Sequence, residues 1–150
     1  MTPREYLLSL GVESTLHSGR TFFDHLCRVE DILRVCKVDE DVCLAGLYHS
    51  IYGTNYFKFK TTNDRQAVKN VIGERAEYLA WVFCNAKRPF CWFCGNNIVL
   101  NDGSFILVDD KILHDLQMIE GANLLEQKCG VDMIVSFTAN RSKNETDSNS

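Results

Sequence analysis

The chain has 150 residues, 45% of them hydrophobic, and its 16 Lys and Arg against 20 Asp and Glu leave a net charge of -4. That is enough apolar material for one ordinary core, so a single domain is expected, while the thinly spread basic residues leave no electrostatic footprint for nucleic acid. No apolar run approaches the roughly 20 residues of a membrane span, and residues 1–5 open a helix instead of a signal peptide, so a cytoplasmic protein with no membrane partner is expected. The cysteines are odd in number, seven, and several fall in helical apolar stripes, which reads as reduced thiols.

Thr2-Pro3-Arg4-Glu5 has the form of a capping box with proline at the first helical position, and predicts a short first helix stopped at Gly11. A polar connection holding His17 leads to a second helix over 21–36. There Phe22, Leu26, Val29, Leu33 and Cys36 form the buried stripe, with His25 at its inward edge. Asp39 caps a third helix across a short turn, so the second and third helices form an antiparallel hairpin. The third helix is apolar nearly all round and is expected to run through Tyr52, with Gly53 as its left-handed terminator. One side of it carries Ala45, Gly46, His49 and Tyr52. Small residues there either admit a closely packed helix or leave room for a ligand.

After an aromatic and basic connection at 55–61, Thr62 or Asn63 caps a fourth helix that stops at Gly73. A fifth covers 74–87, with Ala76, Leu79, Ala80 and Phe83 inward, and Arg88-Pro89 ends it. Residues 98–100 and 105–108 flank Asn101-Asp102-Gly103 as one small β-hairpin. Asp109 or Asp110 caps a last long helix, in which Leu116, Ile119, Asn123 and Leu124 run down one side. A short apolar segment at 131–137 is expected to pack back on the core, and the polar residues 140–150 to form a disordered tail. The expectation is an all-α domain of five or six helices with one small β-hairpin, spanning 1–139.

His25 and His49 lie about ten residues on either side of the hairpin turn, so both imidazoles stand roughly 15 Å from the bend, at one height. If their faces meet, they can touch one ion or one ligand. Two neutral imidazoles are a common start for a Zn, Fe or Mn site, and His17 is the candidate for a further ligand. Asn123 and Glu126 also attract notice, because Asn123 shares the inward side of the last helix and a buried amide needs hydrogen-bond partners. Cys91-Trp92-Phe93-Cys94 lacks the second ligand pair of a zinc knuckle and the βαβ setting of a redox motif. It reads as two thiols in an aromatic loop that could lie over the histidine pocket. His114-Asp115 reads as a solvated pair, since Asp115 points away from the apolar side.

The run from Gly19-Arg20-Thr21-Phe22-Phe23-Asp24-His25 through Val29, followed by Ala45-Gly46-Leu47-Tyr48-His49-Ser50, resembles the metal-site half of an HD-domain protein of the RelA/SpoT-like (p)ppGpp hydrolase branch. Two weaker blocks, beginning at Ile72-Gly73-Glu74 and Ile119-Glu120-Gly121, fall where that family has its following helix and its last metal-binding aspartate. The resemblance implies an HD-like helical bundle and a hydrolase or other metal-assisted enzyme. Its substrate would be small and phosphorylated or nucleotide-like. One transition metal ion (Zn, Fe or Mn) would rest on His17, His25 and His49, while His25, His49, Ser50, Tyr52 and Asn123 would serve as acid, base or orienting groups. The chain departs from the family at Ser50, which replaces the HD aspartate, at Asn123 in the distal aspartate position, and at Tyr52-Gly53-Thr54 in place of an acidic pair. Loss of those carboxylates favours Zn or Fe over harder ions. It also leaves open a catalytically degenerate, metal-free domain that binds a small ligand or acts as an interaction module.

Overall fold

A computed structural model describes residues 1–14, 16–17, 20–54 and 60–128 of the chain. The elements in order are helix α1 (Pro3–Ser9), strands β1 (Leu16–His17) and β2 (Arg20–Thr21), helices α2 (Phe22–Val35), α3 (Glu40–Leu47), α4 (Arg65–Ile72) and α5 (Glu74–Asn85), strands β3 (Asn97–Val99) and β4 (Phe105–Leu107), and helix α6 (Asp110–Lys128). The fold is mostly helical. The expected hairpin is present as β3 and β4, with Ile98 opposite Ile106, and a second two-residue ladder pairs Leu16 with Thr21. The segment at 131–137 and the polar tail lie outside the described residues.

Capping chemistry sets most boundaries. Thr2 and Glu5 form the reciprocal capping box of α1. Thr21 caps α2, and Asp109 accepts from the Ile112 amide at the start of α6. Asp64 caps α4 through the Ala67 amide, so that helix begins later than Thr62 or Asn63 would place it. Helix α5 ends at Asn85, short of the expected 87, where Ala86 turns extended and bridges to Leu100.

The largest departure is α3, which closes at Leu47 instead of running to Tyr52. The His49 side chain takes the Gly46 carbonyl through Nδ1 at 2.7 Å, the oxygen that an α-helical ladder would offer to the Ser50 amide. The chain then proceeds by tighter turns, with Ile51 bonded to Tyr48 and Gly53 to Ser50, and Gly53 takes φ 79 as expected.

Helices α2 and α3 pack as the antiparallel hairpin, with α5 and α6 laid across them. Gly46 faces Leu33 across the pair, where a Cβ would stand 2.2 Å from Leu33 Cδ1. One apolar cluster joins Val29, Leu33, Val42, Phe83, Trp92, Ile98 and Leu116, and a second joins Leu7, Phe22, Leu26, Tyr48, Ile51 and Val68. Helix α5 contributes to both, which places its Phe83 and Cys84 at the centre of the molecule.

Candidate functional site: a buried imidazole pair

Near the start of α2 and just past the end of α3, His25 and His49 meet as the hairpin register requires. Their Nε2 atoms stand 3.2 Å apart with the rings edge to face, and each residue is 1% exposed. Each outer nitrogen is also held. His25 Nδ1 lies 2.7 Å from Glu126 Oε2 on α6, and His49 Nδ1 lies 2.7 Å from the Gly46 carbonyl.

A carbonyl can only accept, so His49 carries a proton on Nδ1. A hydrogen bond across the 3.2 Å between the two Nε2 atoms holds one proton, and which ring donates it depends on the tautomers.

The walls of the site come from α5 and α6. Phe83 meets His49 edge to face at 5.3 Å, stacks on Trp92 at 5.5 Å, and carries the Arg88 guanidinium over its ring at 4.3 Å. Arg88 is forked onto Glu120 at 2.9 and 2.7 Å, and the Asn123 amide donates to Glu120 at 3.3 Å. Asn123 is 3% exposed, and its Oδ1 has no hydrogen-bond partner. The Cys84 thiol donates to the His49 carbonyl at 3.1 Å, and burial pushes it up to about 12, so it stays a neutral donor.

Among the sequence candidates, His25 and His49 are brought together and Ser50 is buried directly after them. The His17 side chain lies outside the described residues. The Tyr52 hydroxyl is committed elsewhere, to Glu77 Oε1 at 2.9 Å, and both burial and that carboxylate raise its pKa. Glu77 is fully buried and is also held by the Arg65 fork at 2.6 and 2.8 Å. A groove of 380 Å³ between α4 and α5 borders this second cluster, lined by Arg65, Lys69, Glu74, Arg75, Glu77 and Tyr78 and by neither imidazole. Asn123 faces inward as expected, but its amide bonds Glu120 and not a histidine.

Two structural readings need correction. Asp115 is 1% exposed and takes Arg75 at 2.5 Å and Lys111 at 2.9 Å, so it is a buried ion-pair acceptor and not part of a solvated dipeptide. The Cys91 loop reaches Phe83 through Trp92, one layer away from the imidazoles. Cys91 is buried and its thiol pushed up to about 12 by burial, while Cys94 is exposed. Glu120, Arg88 and Cys84 are the contributors that sequence reasoning left out of the site, while Glu126, singled out beside Asn123, is the residue that holds His25. The signal for Glu120 was its three-residue spacing from Asn123 and Glu126 along α6.

The fold and site together define a helical domain built around an internal, hydrogen-bonded histidine pair. Residues 6–88, more than half of the chain, match the model of a family described as a domain of unknown function, DUF6817, and the chain belongs to that family. The matched stretch contains His25 and His49 and stops before Glu120, Asn123 and Glu126. No curated protein and no solved structure matches the chain.

Proposed function

We propose that this is a divergent HD-type domain in which His25 and His49 hold one transition metal ion, Zn or Fe, and which acts as a metal-assisted hydrolase on a small phosphorylated or nucleotide-like substrate. The observation that carries this reading is the facing pair of Nε2 atoms with both outer nitrogens held by acceptors. Two nitrogens each about 2.05 Å from a tetrahedral ion stand about 3.3 Å apart, close to the separation of the imidazoles. An acceptor on the far nitrogen of a ligating histidine fixes its tautomer and orientation and raises its basicity. Glu126 does this for His25 and the Gly46 carbonyl for His49.

When bound, such an ion supplies Lewis-acid polarisation of a phosphoryl oxygen. The chain's own residues do the rest. Glu126 keeps His25 aimed inward, and Phe83 walls the ring of His49 from the Arg88–Glu120 pair. The buried Asn123 Oδ1 is the acceptor left for a substrate hydroxyl or amide.

The second reading is a degenerate HD-type domain that binds a small ligand without turnover. It is favoured by Ser50 and Asn123 standing where the resembling family carries carboxylates. Metal analysis of protein exposed to Zn²⁺ or Fe²⁺ and then desalted separates the two. Uptake near one equivalent, lost in both His25→Ala and His49→Ala, supports the metal-assisted reading. Uptake at background level rejects it, and thermal shifts with a nucleotide panel then test the second.

A further inference from the structure

An apolar surface on the Phe90–Phe93 turn and the β3–β4 hairpin has no place in this chemistry. The 3-10 turn Phe90–Phe93 leaves Phe90 74% and Phe93 69% exposed, while β4 leaves Phe105 68% and Leu107 76% exposed. The register pairs Val99 with Phe105 and Asn97 with Leu107, so these four residues share the outer face of the hairpin while Ile98 turns into the core. The 3-10 turn packs against β3, which brings its two phenylalanines to the same end of the molecule. All of this lies beyond the part of the chain that matches the family model.

We infer that this surface is a homodimer interface, on which a second copy of the chain packs its own hairpin face across a twofold axis. Two observations choose that occupant. The first is area. Taking about 200 Å² for a whole aromatic side chain, the three phenylalanines alone present about 400 Å², and Leu107 with Val99 bring the patch to roughly 600 Å². That is the upper end of what a lone soluble domain leaves open, and about three-quarters of the roughly 800 Å² that a standard interface takes from each partner. The second is charge. Phe90, Phe93, Asn97, Val99, Phe105 and Leu107 include no ionisable side chain, so the face meets its own copy without like-charge repulsion, as an isologous contact requires. In addition, β4 pairs only with β3 among the described residues, which leaves its outer edge available to extend the contact.

The test is sedimentation equilibrium of the full chain from micromolar to several hundred micromolar, beside the variants Phe105→Glu and Leu107→Glu. Both substitutions fall on exposed positions of the outer face and leave Ile98 and Ile106 in place, and circular dichroism checks that the variants fold. The inference expects twice the 17.1 kDa chain mass for the natural chain and a dissociation constant at least 100-fold weaker in each variant. A natural chain that stays monomeric throughout overturns it. So does a dimer that both folded variants preserve, since its contact would lie elsewhere. Neither result bears on the imidazole pair.

Discussion

Replacing Gly46 with alanine tests the packing that brings the histidines together. The added methyl would sit 2.2 Å from Leu33 Cδ1 and 3.4 Å from Val29 Cγ1, and Leu33 is fully buried, so its side chain must move by more than 1 Å into filled space or the helices must part. Overpacking of this kind costs about 1–3 kcal/mol, against roughly 1 kcal/mol gained by exchanging glycine for alanine in a helix. A net loss of up to about 2 kcal/mol is expected, which for a chain of this size lowers Tm by up to about 8 °C. Urea unfolding of Gly46→Ala, Leu33→Ala and the double variant gives the coupling directly. The double variant should lose at least 1 kcal/mol less than the two single losses added together, because the truncated side chain vacates the space the methyl needs. Strict additivity of the two single losses would refute the claim that Gly46 and Leu33 compete for one space.

Two further outcomes follow from the buried polar groups. Glu120→Leu removes the buried carboxylate on which the Arg88 guanidinium is forked and should cost about 3–5 kcal/mol in chemical denaturation, while adding Arg88→Met should restore most of the loss. The Cys84 thiol is raised from 9.0 to about 12 by burial, so the folded state holds its proton more tightly than the unfolded state does. Its contribution is complete below pH 9 and declines as pH rises toward 12. Cys84→Ala should therefore lose stability less steeply through pH 9–10.5, by up to about 1.4 kcal/mol per pH unit, and identical slopes would contradict the assignment.

The meeting of His25 and His49 could be read in the sequence because a short turn fixes the register of an antiparallel helix pair, and equal distances from that turn give equal heights. The end of α3 could not, since it depends on a side chain outcompeting a backbone amide for the Gly46 carbonyl, and helical periodicity carries no trace of that contest. Glu126 joins His25 across 101 positions of sequence, a partnership that no local pattern encodes. Asp115 is buried although it lies off the apolar stripe, because α6 is covered on more than one side. Leu116 and Ile119 face the apolar core, while Asp115, Glu120, Asn123 and Glu126 are buried against polar partners, so an apolar stripe alone mislocates its interior. Tyr52 lay on the side of small residues as drawn on a continuous helix, and the early end of α3 released it toward Glu77.

The proton inventory of the imidazole pair gives the most direct measurement. With His49 protonated on Nδ1, the space between the two Nε2 atoms holds one proton, and an ion bound there must expel it. Titrating Zn²⁺ into metal-free protein under pH-stat conditions should release close to one proton per ion bound, with affinity rising about tenfold per pH unit, and His49→Ala should abolish both. Binding without proton release, or binding and release that persist in His49→Ala, would place the metal elsewhere and contradict the account of the pair as its seat.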